Sequence, residues 1–541
     1  MDALIISGYF DLDHEVSLHH TDDFRLTVEG VPMTISNMVT YFKNNRVIDN
    51  CEKRRFNALK KPYKQVYYSS FHLYNNIVSN GFSAEILNCH DINDSKRFDF
   101  YNKNPLSVVI STTFINMEAV RRITKDIRMF IPNTWIIVGG SFTRYSYLVW
   151  KRRYEPYYNE PDVLNNYFFT TQNSVDDVDA FIYDEHGERT LLKMLQFLKQ
   201  GHRPQNLPNT VIALHDGPKT KWKFNESVPE DFTMDDHRIM WEKIPTDYLS
   251  TVIPFSNTYG CPFKCNFCNF SQTQMYKKSI DVVFTELHEL TTHRVVNRVW
   301  FTDDNFFLTP KMVEVFCERY MKEKLPFQWM SFIRANSINA KTAELLRKSN
   351  CCLLILGLES GSQEMLNNMN KKDTIEGYKI AMNHLIKNGI DTEISFIFGY
   401  PGETDSTVTE TINFINSLPM SSSQVNYLYL FKFNLLPLSG VFEENNRTIW
   451  NIKGNFNRWS HKTMDSDRVD HILHRVATET NTTVFNYLDS INTMNKEDTV
   501  IFMRLRDELS RNINIKINEN PAHIENLWSK LYDFLKTKGL F

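Results

Sequence analysis

The sequence predicts an α/β protein built from two parallel βα series in tandem, and three observations carry that expectation. Over the first 200 residues, five short apolar runs alternate with amphipathic helical stretches. From residue 251, six longer apolar runs alternate with helices in the same way. In the first series the runs are continuously apolar, as strands covered on both faces by helices must be. The fold class is therefore an N-terminal Rossmann-like parallel sheet, then a partial (β/α)6 barrel, then a mostly helical C-terminal region. The expected boundaries are 1–205 for the first domain, 206–250 for a connector, 251–440 for the barrel and 441–541 for a substrate-capping region.

In the first series the strands are ALIIS (3–7), AEIL (84–87), SVVIST (107–112), TWIIVGG (134–140) and DAFIY (179–183). MEAVRRITKDIRMF (117–130) and RTLLKMLQFLKQG (189–201) are helices between and after them. Ligands of such sheets bind beyond the carboxyl ends of the strands, which puts the loops starting at Ser7, Ser111, Gly139 and Asp184 on one rim. TVIALHDGPKTKWKF is a hairpin turning at Asp216-Gly217. In the second series the strands are TVIPFSNT, RVWFTDD, FQWMSFIRA, CLLILGLES, TEISFIFGY and VNYLYLFKF. Thr309-Pro310 and Asp373 mark helix starts, and Gly389 follows a helix end. Functional loops of a βα barrel lie at the carboxyl ends of its strands.

The chain has 541 residues, 23% of them charged, and a formal net charge of −3. This balance carries no footprint for nucleic acid and no basic patch for a membrane. The start, MDALIISGYFDLDHE, lacks a basic segment and a cleavage site. No apolar run approaches the ~20 residues a bilayer requires. Cysteines outside the central cluster are scattered, at 51, 89, 317, 351 and 352, which suits a reducing cytoplasm rather than a disulfide framework.

Directly after the first barrel strand stands CPFKCNFC, with Cys261, Cys265 and Cys268 spaced C-x3-C-x2-C. A structural zinc site takes four ligands, commonly in two pairs, and no fourth Cys or His lies near in sequence. His14, His72 or His90 could complete a zinc site only through the fold. Three thiolates suit a four-iron, four-sulfide cubane with one open iron. Such an iron can chelate an amine and a carboxylate.

CPFKCNFC, with Phe267 before its third cysteine, resembles the signature of the radical S-adenosylmethionine (SAM) superfamily. The resemblance implies a [4Fe-4S] cluster on these three cysteines. It also implies SAM on the open iron and reductive cleavage to methionine and a 5′-deoxyadenosyl radical that abstracts hydrogen. Flavodoxin or ferredoxin is the kind of electron donor implied. Other segments resemble the superfamily in order. FTDDNFF offers Asp303 and Asp304 to the SAM amino group, and SFIRAN offers Arg334 to its carboxylate. GLESGS places Glu359 near the ribose or amino group, and FIFGYPGET passes Gly399, Gly402 and Glu403 by the adenine. Each segment also has an ordinary reading, as helix caps or turns.

The first 200 residues resemble the cobalamin-binding domain that precedes many radical SAM domains, through ISTTF, VGGSFTR and YDEHGERTLL. The resemblance implies cobalamin as a further cofactor, with Ser111, Thr112, Thr113, Gly139, Gly140 and Gly187 against the corrin face. The Asp-x-His-x-x-Gly signature of an axial histidine is missing, since the first loop reads GYFDLDHEVS with Asp13 and His14 adjacent.

Three functions remain open at this point. The first is cobalamin-dependent C-methylation of a peptide or natural-product intermediate. The second is cobalamin-independent peptide epimerisation, with Cys352 or Cys351 returning the hydrogen atom. The third is a non-catalytic iron–sulfur protein for electron transfer or sensing. A small-molecule or peptide substrate is the expected partner of an enzyme. Trp459 and His461 in RWSHKTMDSDRV are candidates to touch it or to pack.

Overall fold

A computed structural model describes the chain except residues 10–25, 30, 34, 49–65, 89, 91–93, 171–174, 215–219, 482, 486–493, 518–519 and 541. Two compact units are distinguished. One comprises Met1–Glu15, Tyr63–Gly260 and Gln272–Trp300, the other Val16–Pro62, Cys261–Ser271 and Phe301–Phe541.

The first unit holds strands β1 (Ala3–Ile6), β2 (Ala84–Leu87), β3 (Ser107–Ser111), β4 (Trp135–Gly139), β5 (Ala180–Ile182), β6 (Thr210–Leu214) and β7 (Lys221–Phe224). They form one sheet in the order β2-β1-β3-β4-β5-β6-β7. The first five are parallel, and β6 and β7 add the expected hairpin in antiparallel register. The hairpin's turn, Asp216-Gly217, lies outside the described residues. The chain leaves β1 in opposite directions for β2 and β3, so the topological switch point falls between β1 and β3. Every residue of β1 and β3 is buried, which explains why both read as unbroken apolar runs. Helix Met117–Phe130 covers the sheet with Val120, Ile123 and Ile127, and Asn116 caps its start by accepting from the Ala119 amide. The same unit ends with β8 (Val252–Phe255) and most of β9 (Arg298–Phe301).

In the second unit, β9 enters at Phe301 and is followed by β10 (Gln328–Phe332), β11 (Cys351–Glu359), β12 (Asp391–Phe398), β13 (Asn426–Lys432) and β14 (Val484–Phe485). The strand order equals the chain order. β10 to β14 pair in parallel throughout. The six expected βα strands are all present, and β14 is a seventh that its two residues did not announce. Helix boundaries follow the punctuation. Thr309 caps Pro310–Lys322, Thr374 (beside the expected Asp373) caps Ile375–Lys387, and Gly389 takes φ +71° just beyond that helix. Along β12, burial alternates. Asp391, Glu393, Ser395 and Ile397 are half-buried on one face, and Thr392, Ile394, Phe396 and Phe398 are buried on the other.

A separate core in this unit joins Leu26, Met33, Ile35, Met38 and Phe42 to Val500, Phe502, Leu527, Trp528 and Leu531. Trp528 is 4% exposed, and its ring meets Tyr41 at 5.5 Å and Phe42 at 5.8 Å. Trp528→Ala should therefore cost about 3–5 kcal/mol of stability, read as a lower thermal midpoint. Breaking the nearby Arg46–Glu525 ion pair, 2.7 Å long with both side chains well exposed, should cost at most about 1 kcal/mol.

Candidate functional site

The cysteine-bearing loop is fastened to the second unit by backbone and amide hydrogen bonds. The Asn266 amide donates to the Met369 carbonyl at 2.9 Å, and the Val441 amide donates to the Asn266 carbonyl at 2.8 Å. Asn266 Nδ2 reaches the Asn368 carbonyl at 3.2 Å, and Asn370 Nδ2 reaches the Lys264 carbonyl at 2.6 Å. Cys265 is buried, while Cys261, Cys268 and Phe267 are half-buried. All three are free thiols. Burial pushes the Cys268 thiol up to about 12 and raises Cys261, with the charges of Cys265 and Asp304 adding to the rise. Among the described residues, no set of three His, Cys, Asp or Glu side chains closes on a single metal ion.

Arg334 follows β10 and turns onto this loop. Its Nη1 lies 4.0 Å from Cys265 Sγ. Its Nη2 donates to the Asp373 carboxylate at 2.8 Å and to the Lys371 carbonyl. Its guanidinium carbon sits 3.9 Å from the centre of the Phe263 ring. Glu359, at the carboxyl end of β11, has φ +66° and pairs with Lys371 Nζ at 3.0 Å. A Cβ on Gly357 would lie 2.3 Å from Glu359 Oε1, so glycine there lets the carboxylate fold back over the strand. Asp303 is buried beside exposed Asp304. Asn305 is 3% exposed, and among the described residues neither its Oδ1 nor its Nδ2 has a hydrogen-bond partner.

Beyond β12, Gly399 and Gly402 adopt φ +90° and +100°. A Cβ on Gly399 would strike Val469 and Trp459, and one on Gly402 would strike Asn368 and Trp450. Trp459 and His461 are packing groups here. The Trp459 indole donates to the Phe433 carbonyl at 3.0 Å, and His461 Nε2 is 3.0 Å from the Gly399 carbonyl. Glu403 is buried and accepts from the Gly399 amide. Burial pushes its carboxyl up to about 8, against an ordinary value of 4.5. Between these values the unfolded chain has lost a proton that the folded chain keeps. This group's contribution to stability is thus present below about 4.5 and is lost as the pH rises to about 8. Relative to Glu403→Gln, the native protein should lose thermal stability steadily from pH 5 to pH 8. Parallel melting curves across that range would contradict a neutral buried carboxyl.

On the first unit's rim, Thr112 knits β3 to β4. Its Oγ1 donates to the Gly139 carbonyl at 2.7 Å and accepts from the Thr143 amide at 3.1 Å. Gly140 takes φ +99°, where a Cβ would lie 2.9 Å from the Thr112 nitrogen, and one on Gly187 would strike Ile182. Ser111 is buried, whereas Thr113 and Phe114 are exposed, Phe114 by 63%. His72 pairs with Glu188 at 2.9 Å and His90 with the Tyr101 hydroxyl at 2.8 Å, while His14 and Asp13 lie outside the described residues.

The hydrogen-donor role expected of Cys351 or Cys352 loses its geometry. Cys351 is fully buried at the amino end of β11, and Cys352 occupies a bulge there, its Sγ 3.4 Å from the Trp329 carbonyl. Glu359 ends the same strand eight residues further on, about 26 Å away at 3.3 Å per residue. Arg334 and Glu359 mark the rim of the cluster cysteines, and both thiols stand at the opposite end.

Residues 256–415 match the family model described as the radical SAM superfamily. The chain carries a radical SAM domain. It is 25% identical over 338 residues to an uncharacterized methyltransferase of Pyrococcus horikoshii, spanning 61% of this chain and 67% of that protein. It is 30% identical over 248 residues to the anaerobic magnesium-protoporphyrin IX monomethyl ester cyclase of Rubrivivax gelatinosus, spanning 43% of this chain and 44% of that one. Two solved structures share the fold. The methyltransferase TsrM from Kitasatospora setae has TM-score 0.52 and 14% identity over 83% of this chain and 76% of that one. OxsB, solved with aqua-cobalamin bound, has TM-score 0.55 and 13% identity over 93% and 80%.

A radical SAM domain implies a [4Fe-4S] cluster and SAM. The donor set fits the cluster. Three free thiols share one partly desolvated loop, where burial keeps Cys261 and Cys268 from ionising alone, and a guanidinium faces Cys265. Asn305, with its unsatisfied buried amide, fits the company of a polar ligand. Sequence reasoning passed over Asn305 although it stands in the FTDDNFF segment. Lys371 and Asp373 were also missed as site residues, because only the turn after Met369 brings them to Arg334 and Glu359.

Proposed function

We propose that the chain is a cobalamin-dependent radical SAM C-methyltransferase acting on a peptide or small natural-product intermediate. The observation that carries this reading is the thiol loop tied to Arg334, Lys371 and Asp373 in a chain that shares its fold with TsrM over 83% and with OxsB over 93% of its length. When bound, the cluster supplies the electron that cleaves SAM, and cobalamin supplies the methyl carrier.

Cys261, Cys265 and Cys268 hold the cluster in this reading. Phe267, Asp303, Asp304, Arg334, Glu359, Gly399, Gly402 and Glu403 surround the nucleotide. On the first unit, the exposed pair Thr113 and Phe114 offers a corrin face a flat apolar surface next to the switch point. Thr112, Gly140 and Gly187 support that rim from beneath through their own packing. The substrate occupies the half-buried face of the barrel strands, where Phe332, Ile355 and Glu393 stand in register across β10 to β12. There, burial alone raises the Glu393 carboxyl to about 7. Flavodoxin or ferredoxin is the proposed class of reductant. The placement of Cys351 and Cys352 at the amino end of β11 supports methylation over epimerisation.

Protein purified anaerobically with cobalamin should retain the corrin absorption. With reductant and SAM it should release 5′-deoxyadenosine. With methyl-deuterated SAM and extracts of the producing organism, a product should gain the labelled methyl. Release of 5′-deoxyadenosine with incorporation of solvent deuterium and no methyl gain would replace this reading with hydrogen return.

A further inference from the structure

We propose that Arg334, clamped by Asp373 and Phe263, sets the reduction potential of the cluster by directing a cationic N–H at Cys265 Sγ. The proposal rests on the reading that Cys261, Cys265 and Cys268 hold a [4Fe-4S] cluster, and not on the choice of methylation as the reaction.

A guanidinium carries five donors in one rigid plane. Here three separate contacts fix that plane. Nη2 is committed to the Lys371 carbonyl and, at 2.8 Å, to Asp373. The face of the group lies over the Phe263 ring at 3.9 Å. What remains of the group is Nε, buried without a hydrogen-bond partner among the described residues, and Nη1, which points to Cys265 Sγ at 4.0 Å. The Arg334 side chain is 9% exposed and that of Asp373 2%, so water screens neither charge well. An arginine whose only task was to receive the SAM carboxylate would keep a pair of parallel N–H groups open for it. This one has given Nη2 to the protein and faces Nη1 to a cluster ligand. Asp373 is the positioning residue, and its carboxylate lies on Nη2, while Nη1 faces the sulfur. The guanidinium–carboxylate pair therefore presents its positive end to the thiolate.

The electrostatic consequence has a definite sign. One-electron reduction, by an external low-potential one-electron donor, takes a 2+ core with three thiolates from net −1 to net −2. No bond is made or broken and no proton moves. A fixed cation beside a ligand sulfur stabilises the more negative state, and hydrogen bonds to the sulfurs and local charge are among the levers that set such potentials. Arg334 raises the potential, and Asp373 moderates it.

The test is a redox titration of the reconstituted full-length protein without SAM, using dithionite and mediators and following the EPR signal of the reduced cluster. Arg334→Gln should lower the reduced-to-oxidised ratio at a fixed solution potential by about tenfold, equivalent to 59 mV for one electron. Arg334→Lys, which keeps the charge but not the fork, should fall between Gln and the native residue. Asp373→Asn should shift the midpoint the other way. Opposite signs from the two partners of one ion pair are a signature that a merely structural role does not produce. If Arg334→Gln assembles no cluster, Asp373→Asn decides alone, with an upward midpoint supporting the proposal and an unmoved or lower one overturning it. An unmoved midpoint in Arg334→Gln, with SAM affinity reduced, would leave Arg334 as a SAM ligand only. Native protein that assembles no four-iron cluster would overturn the underlying cluster reading, a failure visible before any variant is made.

Discussion

Cys265→Ala should abolish iron binding and bring 5′-deoxyadenosine release to the no-enzyme background. Cys265 is the buried member of the three thiols and the one that Arg334 faces. A cubane on two cysteines would have lost the ligand most shielded from solvent, and exposed clusters are lost or hydrolysed. Alanine at this position leaves the polypeptide intact, because the loop is held by Asn266, Lys264 and Val441 rather than by the thiol. The variant should fold, with native far-ultraviolet circular dichroism and a melting midpoint close to that of the metal-free native protein. Iron and sulfide analysis, together with the loss of the brown charge-transfer absorption, measures the effect. A variant that kept a full complement of four irons would show that Cys265 is not a ligand. Cys317 is the control. It is fully buried, and burial lifts its thiol to about 12, yet it belongs to helix Pro310–Lys322 and should tolerate alanine without loss of iron.

The difference between Cys265 and Cys317 shows what the sequence discloses. Spacing is local, and C-x3-C-x2-C directly after a strand is legible without a structure. So were the eleven strands of the two series, because burial of one face or both concentrates apolar residues in each of them. Long-range packing left no such mark. Leu26, Met38 and Phe42 share a core with Trp528, though nearly the whole chain separates them, and nothing in their local pattern assigns them a partner. β14, Val484–Phe485, is too short to have a period of its own and exists by pairing with β13. Glycines were legible as glycines, but not what they pack against. Gly399, Gly402, Gly140 and Gly187 were expected to admit a ligand, and each also makes room for a neighbouring side chain or backbone of this chain. The Lys371–Asp373 turn was invisible for the same reason. Its residues acquire meaning only when Asn266 and Met369 bond across a hundred residues of sequence.

That turn carries the second large effect. Lys371→Met should destabilise the second unit by about 3–5 kcal/mol, since it leaves the Glu359 carboxylate buried and uncompensated. The two side chains are 8% and 10% exposed and lie 3.0 Å apart, so solvent cannot replace the lost partner. The penalty is sharpened by the backbone of Glu359, whose φ of +66° is held by this fold-back over Gly357. Adding Glu359→Gln should recover much of the loss, because a neutral amide of the same shape no longer demands a cation. A double-mutant cycle by urea denaturation isolates the coupling, expected to be favourable and to exceed about 1 kcal/mol for so dry a pair. Coupling near zero would mean that the Glu359 carboxylate is satisfied by something other than Lys371. Because the Lys371 carbonyl also receives Arg334, methionine at this position keeps that backbone contact. The cluster midpoint should therefore move less in Lys371→Met than in Arg334→Gln, even though the first variant is the less stable protein. Stability and redox tuning are thus assigned to different atoms of the same residue, the ammonium to one and the carbonyl to the other.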